Sequence, residues 1–186
     1  MPKIHIIPLN GAKSHVIPKM NCFGGYMRFV STYDAGLDDK RRVTLPADFR
    51  SGLKAEGDAQ DHVRVWPGDG DWLEGADDRF IAALSQSAED LAQDDPEAAE
   101  AATLAILGSS RKLALDGAGR IVLPETFVSH ASLADRVSFV GLGPYFRIAS
   151  PEVAARMAQT ARDRTAATKA KIFAMARRKV REGVSE

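Results

Sequence analysis

One thirteen-residue unit occurs twice in this chain of 186 residues, and the repetition restricts the fold more than any other feature. The first copy runs Leu37-Asp38-Asp39-Lys40-Arg41-Arg42-Val43-Thr44-Leu45-Pro46-Ala47-Asp48-Phe49. The second runs Leu115-Asp116-Gly117-Ala118-Gly119-Arg120-Ile121-Val122-Leu123-Pro124-Glu125-Thr126-Phe127. A constant offset of 78 residues carries Asp38 to Asp116, Arg42 to Arg120 and Pro46 to Pro124, with Leu, Asp, Arg, Leu, Pro and Phe identical. Agreement of that density at one offset marks an internal duplication, so the chain is built from two related halves.

Each copy is also coherent locally. Asp, a short polar or Gly-rich stretch and then Arg is turn chemistry. Arg-Val-Thr-Leu and Arg-Ile-Val-Leu are β-rich runs. The Pro that follows cannot sit inside a central strand but suits the first turn of a helix, where its missing N–H costs nothing. The unit therefore predicts strand, turn, strand and a short helix beginning near Pro46 or Pro124. Asp and Arg flank the turn, so they either bond across it or leave the Arg pointing outward.

The 25 basic and 25 acidic side chains cancel, but they are not mixed. Glu56 to Ala101 is rich in acids, with Asp94, Asp95, Glu97 and Glu100 among them, against only Arg64 and Arg79. After residue 155 the balance reverses, with Arg156, Arg162, Arg164, Lys169, Lys171, Arg177, Arg178, Lys179 and Arg181. A neutral sum therefore does not exclude a nucleic-acid partner. No apolar run approaches a membrane span, and no apolar core before a cleavage site marks a secretory signal. A single Cys22 forms no internal disulfide, which makes a reducing cytoplasm the natural compartment.

In chain order, residues 1–26 show no period and end in Gly24-Gly25; they read as a flexible arm or a mis-assigned start ahead of Met27. Phe29 to Tyr33 reads as a strand and 54–61 as a polar loop. His62-Val63-Arg64-Val65-Trp66 and a strand from Trp72 flank a turn at Pro67-Gly68. A helix is expected over 77–91, with Phe80, Leu84, Ala88 and Leu91 as one apolar stripe. A second has Asp95 as N-cap, Pro96 at its first position, Leu104 and Leu107 buried, and Gly108 closing it. Val137–Val140, the turn Gly141-Leu142-Gly143-Pro144 and Tyr145–Ile148 repeat the strand pair of the first half. A long helix follows from Pro151 towards Val180, its early part on the core, its apolar side continuing through Ile172, Phe173, Ala176 and Val180, and its basic end frayed.

The candidate functional residues are Lys40, Arg41, Arg42 and Arg120. Arg offers a fixed fork to phosphates or guanine edges and Lys a point charge, and a two-stranded ribbon is thin enough for the major groove. The bland alternative is a solvated charged turn. Asp38, Asp116, Gly117 and Gly119 read as turn and positioning residues, since a carboxylate repels phosphate. His5, His15, His62 and His130 lack metal-ligand spacing, so no metal is expected. No P-loop Lys or nucleophile elbow is present, and Asp38-Asp39 are adjacent and hence a poor general acid/base pair, so neither cofactor, small-molecule substrate nor catalysis is expected.

The doubled D-x-x-x-R unit with its β-branched residues, Leu and Pro resembles the MraZ family of bacterial transcriptional regulators, from Met27 to about residue 150. The resemblance implies an α+β fold: tandem swapped-hairpin β-barrel halves of the SpoVT-AbrB class with pseudo-two-fold symmetry, flanking helices and a long C-terminal helix. Together with the reading in chain order, this divides the chain into a flexible arm or mis-assigned start at 1–26, repeats at 27–74 and 111–150, acidic linking helices at 75–110 and a basic helix and tail at 151–186. It further implies a ring-shaped homo-oligomer in the cytoplasm, at the nucleoid. The ring would bind short direct repeats in double-stranded DNA at the promoter of a division and cell-wall gene cluster, as a repressor. Related swapped-hairpin folds also serve as antitoxin-like interaction modules, the rival reading. The first copy departs from the family pattern by placing Arg41 where a Gly commonly precedes the Arg, which leaves its turn type open.

Overall fold

The computed structural model describes residues 28–54 and 61–182. The expectations for residues 1–26, for Met27 and for the loop between Lys54 and Asp61 fall wholly or mostly outside the described residues.

The chain is α+β. Strands β1 (Thr32–Gly36) and β2 (Arg42–Thr44) lead into helix α1 (Ala47–Lys54), followed by β3 (His62–Pro67) and β4 (Trp72–Ala76). Helices α2 (Asp78–Leu91) and α3 (Pro96–Thr103) come next, the latter widening into a π turn at Leu104–Gly108. The second half supplies β5 (Arg111–Ala114), β6 (Arg120–Val122), α4 (Glu125–His130), β7 (Arg136–Gly141), β8 (Tyr145–Ala149) and α5 (Pro151–Glu182).

The two halves interleave. A six-stranded sheet has the order β1-β7-β8-β4-β3-β5, and β2 pairs with β6 in a separate ribbon. All pairings are antiparallel. The exchange is reciprocal: β1 of the first half adds to β7 of the second, and β5 of the second adds to β3 of the first. Two pairings join strands that hold equivalent places in the two halves. In β2–β6 the central pair is Val43 with Ile121, and in β4–β8 it is Glu74 with Arg147.

Both halves therefore fill one core. Phe29, Leu45, Phe49, Leu53, Leu73, Ile121, Leu123, Phe139, Phe146 and Ile148 are fully buried within it. Burial of aromatic and aliphatic area on this scale, at about 25 cal/mol per Å², is the main force holding the halves together. The ribbon covers one side of that core, with Val43 and Ile121 pointing in and Arg42, Thr44, Arg120 and Val122 outside.

Several helix expectations need correction. Asp95 caps α3 by accepting from Ala98 N, as the sequence suggests, while Asp77, expected as the first residue of α2, is its cap and accepts from Phe80 N. The α2 stripe, however, contributes no fully buried residue, and Leu104 lies on the surface at 72% exposure, because α3 buries only Ala99. Asp78 instead ties α2 to β3, accepting from His62 Nε2 at 2.7 Å and Arg64 Nε at 2.9 Å. Among the α5 residues whose side chains are described, only Val153 and Ala154 of the first turn are buried. The helix then outruns the sheet, so Ile172, Phe173 and Met175 are more than half exposed rather than packed. The helical backbone nevertheless continues to Glu182. The first strand starts at Thr32, not Phe29, because Ser31 at φ 72° breaks the run; Phe29 makes an isolated bridge to Gly143.

Candidate nucleic-acid interface

The two repeated turns have the same hydrogen-bond pattern, residue for residue. In the first, Asp38 Oδ1 accepts from the backbone N–H of Lys40 at 3.0 Å and of Arg42 at 2.8 Å. In the second, Asp116 Oδ1 accepts from Ala118 N–H and Arg120 N–H, both at 2.9 Å. The Asp38 carbonyl accepts from Arg41 N–H at 2.7 Å, and the Asp116 carbonyl from Gly119 N–H at 2.8 Å. One carboxylate oxygen thus folds each loop, the known role of Asp in such turns.

The other oxygen holds the arginine. Arg42 Nε donates to Asp38 Oδ2 at 2.7 Å, and Arg120 Nε donates to Asp116 Oδ2 at 2.8 Å. Asp and Arg therefore bond across the turn, settling the choice left open by the sequence. The pairs are equally placed: Arg42 and Asp38 side chains are 36% and 40% exposed, Arg120 and Asp116 39% and 40%. Bonding to the Arg120 guanidinium, then to backbone N–H groups, lowers the Asp116 carboxyl to about 2. Asp38 is lowered in the same direction, chiefly by the Arg42 backbone N–H. Both carboxylates are therefore ionised throughout the physiological range.

Arg41 settles the turn type of the first copy. It takes φ 59°, beside φ 75° for Gly119, so the two turns are alike despite the substitution. Left-handed geometry costs a side-chain-bearing residue roughly 1–2 kcal/mol. Contacts to the other half hold it: Arg41 O accepts from Leu123 N–H at 2.9 Å, and Arg41 Nε donates to the Leu123 carbonyl at 3.2 Å. Gly119 O accepts from Leu45 N–H at 3.0 Å in the symmetric place. Gly117 is in open space.

Strand pairing brings both turns onto one surface. Arg42 stands opposite Val122, and Thr44 opposite Arg120, so two arginines occupy one diagonal of the ribbon's outer face. The other diagonal holds Thr44 and a Val122 that is 52% exposed. Lys40 is exposed at the tip of the first turn. Sequence reasoning missed Thr44 and Val122, whose exposure follows only from the alternation of the paired strands. It also missed Arg50 of α1, whose guanidinium packs against Gly119 of the other half. Among the described residues no group of His, Cys, Asp and Glu could hold a metal ion, and no helix is long and apolar enough to cross a membrane.

Comparison with known proteins gives the surface a context. No family model matches the chain. Among solved structures, the solution structure of PHS018 from Pyrococcus horikoshii superposes with a TM-score of 0.28 at 9% identity. It covers 66% of this chain and 89% of that one, too loose a match to carry an argument. Curated relatives are much nearer. The transcriptional regulator MraZ of Azorhizobium caulinodans is 41% identical over 128 residues, 67% of this chain and 78% of the relative. That of Xanthobacter autotrophicus is 39% identical over 126 residues with the same coverage. That of Gluconobacter oxydans is 35% identical over 144 residues, 73% of this chain and 84% of the relative. With its doubled Asp–Arg turns and identity of this extent over most of each relative's length, the chain belongs to the MraZ family of transcriptional regulators.

Proposed function

We propose that the chain regulates transcription by binding double-stranded DNA with the outer face of the β2–β6 ribbon and its two turns. The observation that carries this reading is the pair of arginines, Arg42 and Arg120, held on one exposed face in matching poses by Asp38 and Asp116. Paired strands lie about 5 Å apart, and the major groove is about 12 Å wide, so a two-stranded ribbon fits. A guanidinium fixed through Nε still has N–H donors for a guanine edge or a phosphate, and it loses little rotamer freedom on contact. Each Asp also cancels the charge of its Arg, which weakens sequence-independent attraction. Lys40 and Arg41, set against Asp39, then leave the first turn one positive charge in excess to draw phosphate.

The finer parts of the proposal rest on different supports. The reciprocal exchange of β1 and β5 supports reading residues 27–74 and 111–150 as tandem swapped-hairpin repeats of the SpoVT-AbrB class. Family membership supports a cytoplasmic, nucleoid-associated homo-oligomer, built as a ring. Such a ring presents many copies of the turns to short direct repeats in the promoter of a division and cell-wall gene cluster, and represses it. Multiplying the contacts raises the effective concentration of each later one.

The test is a salt titration of binding to the protein's own upstream DNA and to a scrambled duplex, with assembly followed by light scattering. Arg42→Ala and Arg120→Ala should each cost roughly 5- to 150-fold per lost base contact, selectively on the upstream duplex. Lys40→Ala should weaken both duplexes alike and flatten the salt dependence by about one unit per phosphate contact. If both arginine variants assemble normally and keep wild-type affinity and salt slope, the ribbon is not the DNA-reading element. The antitoxin-like interaction reading would then take its place.

A further inference from the structure

We infer that Arg50, carried on α1 of the first half, belongs to the DNA interface beside the second turn and grips a backbone phosphate there. The inference rests on the DNA-binding reading above. It starts from the space beside Gly119. A Cβ built on Gly119 would lie 2.5 Å from Arg50 Nη1, 2.6 Å from Cδ and 2.8 Å from Cζ. The Arg50 guanidinium therefore fills the volume that a side chain at position 119 would occupy.

The pseudo-two-fold axis gives that substitution its meaning. At the offset of 78 residues, Gly119 corresponds to Arg41, and Arg50 corresponds to Val128. In the first half the turn carries its own extra guanidinium and the helix position is aliphatic. In the second half the turn carries none, and the guanidinium arrives from the helix of the other half. Each turn thus has one arginine beyond its Asp-held fork, brought to it by a different route. A solvated surface charge would have no reason to follow the symmetry of the turns.

The two arginines differ in how they are satisfied. Arg41 Nε donates to the Leu123 carbonyl. Arg50 Nε is shielded from water and has no hydrogen-bond partner, and the side chain makes no ion pair among the described residues. The Nη groups of Arg50 are not among the buried unpaired atoms, so the outer edge of the guanidinium is the part open to a phosphate, which its planar fork matches. Arg50 is half-buried against Gly119, the residue next to Arg120, at the edge of the surface that carries Arg120. That position suits the sugar–phosphate wall of the groove rather than the base edges on its floor.

The experiment titrates a labelled duplex from the protein's own upstream region, and a scrambled duplex of equal composition, across a salt series. The proteins are wild type, Arg50→Met, Arg50→Lys and Arg120→Ala, with melting temperature and mass recorded for each. Arg50→Met keeps the aliphatic packing on Gly119 and removes the charge. It should weaken both duplexes alike, by about eightfold per phosphate contact at 0.1 M salt, and flatten the slope of log affinity against log salt by about 0.9 per contact. Arg50→Lys should keep most of the slope. Should Arg50→Met not fold, Arg50→Gln, uncharged but still a donor, carries the same expectation. If the uncharged variant keeps wild-type affinity and slope while Arg120→Ala loses binding, Arg50 is only a packing residue and the inference falls. A loss confined to the upstream duplex would assign Arg50 to base reading and overturn the phosphate assignment. If wild-type protein binds neither duplex, it is the DNA-binding reading itself that fails.

Discussion

Phe49 is the residue at which the interleaving of the two halves can be tested most directly. It lies on α1 of the first half and is fully buried. Its ring centroid lies 5.2 Å from that of Phe29 and 5.6 Å from that of Tyr33, both in the first half. It also lies 6.2 Å from Phe139 and 5.2 Å from Phe146, both in the second. Phe49→Ala removes the ring that all four neighbours share. Truncating a buried Phe costs about 3–5 kcal/mol, and the edge-on ring pairs argue for the upper half of that range. At roughly 2–4 °C per kcal/mol for a chain of this length, the melting temperature should fall by about 6–20 °C. The sharper expectation concerns cooperativity. Because one core contains strands from both halves, the far-UV circular dichroism of the whole chain and the fluorescence of Trp66 and Trp72 in the first half should be lost together. Phe127→Ala, at the equivalent place on α4, should lower the same single transition. Two separated transitions, or a loss below about 1.5 kcal/mol for Phe49→Ala, would refute the shared core.

The other predictions concern the turns and the axis. Asp116 should titrate by carboxyl-detected NMR near 2; since its folded value is depressed, its contribution to stability is complete above about pH 4 and is lost as pH falls to about 2. An ordinary midpoint near 3.9 would remove the Arg120 bond from the solution structure. Gly119→Ala should destabilise by about 1 kcal/mol, the left-handed cost less the unfolded-state gain, and should displace Arg50; unchanged urea unfolding would contradict both. Glu74→Arg and Arg147→Glu should each destabilise, while the double reversal should recover a coupling of about 1 kcal/mol or more in a double-mutant cycle. Glu97→Gln with Glu100→Gln, on the exposed surface of α3, should leave the selectivity between upstream and scrambled DNA unchanged.

The sequence made local features legible and left the geometry between halves obscure. Asp, Arg and Pro at fixed spacing announced turn, strand and helix start, because each acts on backbone within a few residues of itself. The cap Asp95 was readable for the same reason. Leu104, Ile172 and Phe173 misled, since a periodic apolar stripe shows that a helix has a sticky side but not that the fold supplies something to cover it. Arg41 in a left-handed turn was unreadable because its support comes from Leu123 in the other half. Arg50 was hidden more deeply. Nothing in its own neighbourhood marks it, and its place becomes visible only when strand exchange sets α1 beside the second turn.

That exchange also explains how the two halves can differ without losing their symmetry. In a pair of identical chains, a residue on the two-fold axis meets its own copy, so a charged residue there would meet like charge. Here the axis of the β4–β8 pairing falls on Glu74 and Arg147, in register and bonded at 3.1 Å, with Trp66 Nε1 donating to the second Glu74 oxygen at 3.2 Å. A single chain allows one half to change sign while the other compensates. The same freedom appears at the turns, where Arg41 with Val128 in one half answers Gly119 with Arg50 in the other. The outer face of the ribbon shows a third case: Arg42 and Arg120 are alike, while Thr44 and Val122, also equivalent, differ. Two identical forks flanked by a hydroxyl on one side and a branched alkyl group on the other do not present the same surface in both directions. On the proposed DNA-binding reading, an asymmetric face of that kind distinguishes one strand direction from the other, as a direct repeat, unlike a palindrome, requires.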